Sequence, residues 1–109
     1  MAGKFEIYKD KAGEFRFRLK AGNGETILTG ESYKAKDGVL NGIESIRKNA
    51  TDPARFEIKE GKSGPYFVLK AANHQVIGQS AIYSSPAACD NGMNSVAKNA
   101  PDATVDDQT

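Results

Sequence analysis

The chain repeats itself. Phe17-Arg18-Leu19-Lys20-Ala21-Gly22-Asn23 returns fifty residues later as Phe67-Val68-Leu69-Lys70-Ala71-Ala72-Asn73. The same shift pairs Ile27 with Ile77, Tyr33 with Tyr83, Asn41-Gly42 with Asn91-Gly92 and Lys48-Asn49-Ala50 with Lys98-Asn99-Ala100. About 14 of the 36 positions from 17 to 52 are identical to their partners, which marks an internal duplication. Phe5-Glu6-Ile7 matches Phe56-Glu57-Ile58 at a shift of 51, so one residue was gained or lost in the first hairpin of one copy.

Each copy reads as three strands and a helix. Strands are predicted over 4–9, 14–20 and 25–30, and again over 55–60, 65–70 and 75–79. In the second strand Phe15, Phe17 and Leu19 share one face and Arg16, Arg18 and Lys20 the other. Gly22-Asn23-Gly24 supplies a tight hairpin with positive φ. Val39, Ile43, Ile46 and Ala50 recur at helical spacing, as do Cys89, Met93, Val96 and Ala100. Ser85-Pro86 reads as an N-cap followed by proline at the first helical position. Asn49 and Asn99 stand where a left-handed residue would end each helix. Gly42 and Gly92 sit mid-helix, where glycine costs about 1 kcal/mol relative to alanine, so a shared steric reason is expected. Ala103-Thr104-Val105-Asp106-Asp107 follows the second helix as 54–58 follows the first. It predicts one more short strand, added to the other half's sheet; otherwise the two aspartates are a solvated tail.

One copy alone buries too little surface to be secure. The connection at 51–54 is short. The expectation is therefore a single domain over 1–109, made of a repeat at 4–53 and a repeat at 54–107. Its fold class is α+β in two layers. Tandem β3-α-β repeats form one antiparallel sheet with both helices on one face, pseudo-two-fold symmetric, with exchange of the C-terminal strand. A radius of gyration near ~13 Å goes with that arrangement.

The blocks Phe15-Arg16-Phe17-Arg18-Leu19-Lys20-Ala21-Gly22-Asn23-Gly24-Glu25, Leu69-Lys70-Ala71-Ala72-Asn73-His74-Gln75 and Asn41-Gly42-Ile43-Glu44-Ser45 resemble the YegP-like family. These are small bacterial proteins carrying a domain of unknown function in one or two copies. The resemblance implies a β3-α-β unit used twice in one sheet, with the final strand exchanged. Members with one unit pair as dimers, and this chain corresponds to the fused form. The resemblance brings no catalytic residues.

Composition narrows the function classes. Fifteen Lys and Arg face fourteen Asp and Glu, a net charge of +1, where a dedicated nucleic-acid or membrane binder would be far more basic. The one cysteine allows no internal disulfide and no cysteine-based zinc site. No apolar run is long enough for a signal-peptide core or a membrane span, and the expected location is the cytoplasm. No cofactor and no metal are expected.

Candidate chemistry is sparse. His74, the only histidine, aligns with Gly24 at a hairpin tip and reads as an exposed turn residue without an orienting partner. Cys89 aligns with Val39 on a buried helix face and reads as a small packing residue. Gly22-Asn23-Gly24 does not join a strand to a helix and is not a phosphate loop. Tyr33 and Tyr83 read as packing anchors before each helix. Ser45 and Ser95 face solvent or bond the backbone one turn earlier. An enzyme is not expected.

The sheet face opposite the helices is the candidate surface. Alternation assigns it Lys4, Glu6, Tyr8, Arg16, Arg18, Lys20 and Leu28, then Glu57, Lys59, Tyr66, Val68, Lys70 and Val76. Tyr8, Arg16, Arg18, Lys20, Tyr66 and Lys70 are the candidate binding residues. The expected function is a small non-catalytic binding or interaction module with an unidentified protein or ligand as partner. Aromatic and basic side chains on a sheet can also stack on bases and neutralise phosphates, although the balanced charge disfavours nucleic acid. The same face also suits an ordinary wetted surface, or a self-associating structural protein joined through Leu28, Val68 and Val76. The oligomeric expectation is a monomeric pseudo-dimer or a weak homodimer.

Overall fold

Alternating apolar residues and Asx turns build the two halves the same way. The computed structural model describes residues 3–109. The first repeat forms β1 (Lys4–Lys9), β2 (Phe15–Lys20), β3 (Thr26–Gly30) and α1 (Lys36–Asn49). The second forms β4 (Phe56–Gly61), β5 (Gly64–Lys70), β6 (Val76–Gln79) and α2 (Pro86–Asn99), followed by β7 (Thr104–Asp107). Asn23 and Asn73 each close the second hairpin by accepting a backbone hydrogen bond two residues on, from Glu25 and Gln75 at 3.0 Å. Positive φ occurs in these turns only at Gly24 and, in its place, at His74 (φ 69°).

One seven-stranded sheet runs β4-β5-β6-β3-β2-β1-β7. The two repeats meet where Thr29 pairs with Gln79, its own counterpart at the shift of 50, so the pseudo-two-fold axis passes between them. Six strands are antiparallel, as expected. β7 reaches across to the first repeat, but it lies parallel to β1, so the sheet is mixed. The reason is topological: β1 runs opposite to β6, and β7 begins at the end of the sheet where β6 stops. β7 therefore also runs opposite to β6, alongside β1 in the same direction. The Cα radius of gyration is 13.0 Å.

The core lies between the sheet and both helices. Phe5, Ile7, Phe17, Leu19, Phe67 and Leu69 meet Val39, Ile43, Ile46, Cys89 and Val96 there. Tyr33 stacks on Phe17 and Tyr83 on Phe67, as the anchors were expected to do. A β-carbon on Gly42 would stand 2.7 Å from the Tyr33 hydroxyl and 3.0 Å from Phe17. At Gly92 the Tyr83 hydroxyl lies closer still. The recurring glycines therefore make room for the tyrosines as well as for the helix-to-sheet approach.

Several local expectations are corrected. Asn49 and Asn99 are helical; their amides donate back to the carbonyls of Ser45 and Ser95 at 2.8 Å. Those serine hydroxyls accept from the same amides. A register shift after Leu19 sets Leu28 opposite Leu19, on the helix side of the sheet. There its side chain fills the space beside Gly78, its own counterpart, because two leucines do not fit at the axis. Asp106 and Asp107 are no loose tail: they lie in β7 and pair with Lys4 and Lys36. Ser85 does cap α2, accepting from the Ala88 amide at 3.2 Å. Among the described residues no helix is long and apolar enough to cross a membrane.

Candidate functional site

Strand pairing brings the candidate residues of the first repeat together on the outer face. Tyr8 lies opposite Arg16, Glu6 opposite Arg18 and Lys4 opposite Lys20. These positions alternate with the buried Phe5, Ile7, Phe17 and Leu19, so the core fixes which way the polar side chains point. Glu6, which sequence reasoning put on this face but not in the site, turns out to be its centre. Its carboxylate accepts from Arg18 Nε at 2.8 Å and lies 3.2 Å from Lys20 Nζ and 3.4 Å from Lys4 Nζ. The glutamate side chain is only 4% exposed. The Arg18 hydrogen bond, against the opposing effect of burial, holds its pKa down at about 2, and Lys20 and Lys4 add to that. The signal was present in the sequence: a lone acid flanked across the strand by alternating cations. Arg18 also lies over the Tyr8 ring, 4.5 Å from its centroid.

The second repeat builds a looser copy. Lys59 approaches Glu57 at 2.9 Å, and Lys70 hydrogen-bonds the same carboxylate. Tyr66 lies opposite Lys59. The Lys70 bond, then that of Lys59, lowers the Glu57 pKa to about 2, although its side chain is 44% exposed. Strands β3 and β6 separate the two clusters, so the six candidate residues form two groups and no single basic row.

Arg16 differs from the other cations. It forms no ion pair among the described residues. One terminal nitrogen donates to the Gly30 carbonyl at 3.3 Å, and the buried Nε has no hydrogen-bond partner. It borders a cleft of about 370 Å³ at the β3–β6 seam, with Thr26, Thr29, Glu31, Gln79 and Ser80 on its walls. In the second repeat Tyr66 takes the place of Arg16, so the cleft is one-sided.

The remaining candidates stand apart. His74 is exposed on its turn. Cys89 is buried, and desolvation raises its thiol pKa, with smaller contributions from Asp90 and Glu60. Of the proposed apolar patch, Leu28 belongs to the core and Val68 is buried, which leaves Val76 half-buried and alone.

The family described as Domain of unknown function (DUF1508) matches residues 10–57 and again 62–107. The chain belongs to this family. The first match covers β2, β3 and α1 and reaches into β4, and the second covers β5, β6, α2 and β7. Each thus spans one hairpin, one helix and at least the start of the strand after it. The UPF0339 protein YegP of Escherichia coli is similar at 48% identity over 67 residues, 62% of this chain and 61% of that protein. A UPF0339 protein of Treponema denticola is 69% identical over 58 residues, which is 53% of this chain but the whole of that protein. A UPF0339 protein of Stutzerimonas stutzeri is 68% identical over 59 residues, and the chain spans about half of its length. The solution structure of E. coli YegP superposes with a TM-score of 0.93 at 48% identity, covering 100% of this chain and 95% of that one. The UPF0339 protein SO3888 of Shewanella oneidensis gives 0.90 at 51% identity, covering 98% and 92%. The chain thus shares the fold of these relatives along its length, and the family's function is unknown.

Proposed function

We propose that this DUF1508 protein is a small non-catalytic cytoplasmic module that binds through its outer sheet face, with Arg16 as the main contact. The observation that carries the reading is the Arg16 guanidinium. It is the cation of that face whose charge no carboxylate neutralises and whose buried Nε is unused. A guanidinium without a counter-charge is available to pair with an acidic group brought into the cleft. The cleft beside it is at the small end of ligand-site volumes. An acidic or acceptor group on a small molecule or a protein side chain fits it. Nucleic acid fits less well, because Glu6 and Glu57 already neutralise the cations that would meet phosphates.

The test is an amide-shift titration of the isotope-labelled chain at low salt with a short glutamate-rich peptide and, separately, a single-stranded oligonucleotide. The peptide is expected to shift Arg16, Thr29 and Gln79, and Arg16→Ala to abolish the response. If neither probe moves these amides, the reading is wrong. Larger shifts at Arg18 and Lys70 with the oligonucleotide would favour nucleic acid instead.

A further inference from the structure

The two edges of the sheet end differently. β1 is covered by β7, whereas β4, its copy in the second repeat, has no outer neighbour among the described residues. Both strands carry Phe-Glu-Ile, yet Ile7 is 1% exposed and Ile58 is 42% exposed. Among the described residues, the duplication thus gives two strand-accepting edges and one strand, β7, that fills one of them. The residues after α1 run through the short turn Pro53–Arg55 straight into β4 and cannot cover it.

The open edge has diverged from the covered one. At β1, Lys36 holds Asp107, and Arg47 donates to the Ala103 carbonyl at 2.7 Å, and these contacts clamp β7. Their counterparts beside β4 are Pro86 and Ala97, so an acidic strand like β7 finds no clamp there. Tyr8 of β1 is replaced by Lys59 in β4, which makes the run Glu57-Ile58-Lys59 self-complementary when it is turned end over end.

We propose that β4 is a homodimer interface, pairing antiparallel with β4 of a second copy about a two-fold axis at Ile58. In β1 the carbonyls of Gly3 and Ile7 accept from β7, so that parity of backbone groups points outward. At the shift of 51 the equivalent residues are Ala54 and Ile58, with Phe56 between them in the same parity. Pairing Ile58 with Ile58 therefore joins groups already directed at the open edge. It sets Glu57 against Lys59 of the second copy on the outer face, twice, and Ile58 against Ile58 on the helix face. A slip of two residues loses both the isoleucine contact and the ion pairs. The result is a continuous fourteen-stranded sheet that closes by symmetry and leaves β7 as the outermost strand. A single strand pair is a small interface, so the dimer is weak.

Sedimentation of the full chain from ~10 μM to ~1 mM tests this, a range that brackets weak association. The wild type is expected to shift from monomer to dimer. Lys59→Glu and Glu57→Lys each set like charges face to face and are expected to stay monomeric alone. An equimolar mixture of the two restores the opposite charges and is expected to dimerise. Hydrogen exchange of the Ile58 amide in the wild type, which needs no variant to fold, is expected to slow at least tenfold with concentration. A wild type that stays monomeric at the top of the range overturns the proposal. So does a dimer that leaves Ile58 exchange unchanged, and so does a mixture of folded variants that fails to associate.

Discussion

The Tyr33 hydroxyl occupies the space that a side chain on Gly42 would need, 2.7 Å from where its β-carbon would stand. Tyr83 does the same to Gly92, with less room. Helix propensity alone favours alanine at both positions by about 1 kcal/mol, whereas overpacking costs about 1–3 kcal/mol. Gly92→Ala is expected to destabilise the fold by about 1–2 kcal/mol net, and Gly42→Ala by less, read from urea midpoints. Tyr83→Phe, which removes the obstructing hydroxyl, is expected to recover part of the Gly92→Ala loss. Additive effects in that double-mutant cycle would show that the hydroxyl is not the obstacle.

The two glutamates of the outer face give a second contrast. Glu6 and Glu57 are repeat equivalents with similar cations around them, but β7 and Gln108 enclose only Glu6. Replacing Glu6 by Gln leaves Arg18 and Lys20 without their counter-charge. Because those cations are part-exposed, the expected loss is about 1–3 kcal/mol, below that of a fully buried pair. Glu57→Gln is expected to leave the melting temperature nearly unchanged, since its pairs are open to solvent and screened by salt. Equal losses at both sites would contradict the account of burial.

Acid titration follows from the same carboxylate. The Glu6 pKa is held at about 2 in the fold, below its ordinary 4.5. A depressed carboxylate contributes stability above its unfolded value and loses it as protons bind the unfolded chain more readily. Stability is therefore expected to be flat above about pH 5 and to fall from there towards pH 2, with a shallower fall in Glu6→Gln. Denaturant midpoints measured at half-unit pH steps check the slope.

Ser85 closes the first turn of α2 through the Ala88 amide, while Ala35 at the start of α1 offers no such bond. Ser85→Ala is expected to cost about 1 kcal/mol, and Ala35→Ser to add up to a similar amount where its side chain reaches the turn. Thermal melts of both variants give the comparison.

Much of this was legible in the chain. Strand alternation located Phe5, Phe17, Leu19 and their counterparts in the core, and the repeat shift predicted that 103–107 would cross to the other half. It failed where two copies meet. Leu28 alternates like an outward residue, but a register shift after Leu19 turns it inward, and periodicity does not report a bulge. Asn49 carries a helix-ending side chain, yet the tertiary fold keeps it helical and bonded to Ser45. Among the candidate residues, the position of each on the outer face was readable from alternation. The lone Glu6 among alternating cations was a readable signal, but that Arg16 stands outside its cluster was not, because it depends on the strand register that sets Arg16 opposite Tyr8.

The sequence by itself determined the unit: three strands, a helix, and a second copy too small to stand apart from the first. Those are local properties, written in side-chain period and turn chemistry. Only the tertiary structure decided what became of identical segments in the two copies. Phe5-Glu6-Ile7 and Phe56-Glu57-Ile58 share every residue, but one chain has one β7 to give. The covered copy buries its glutamate and isoleucine, and the other leaves them at an open edge, because burial depends on what lies alongside and a linear repeat cannot specify that.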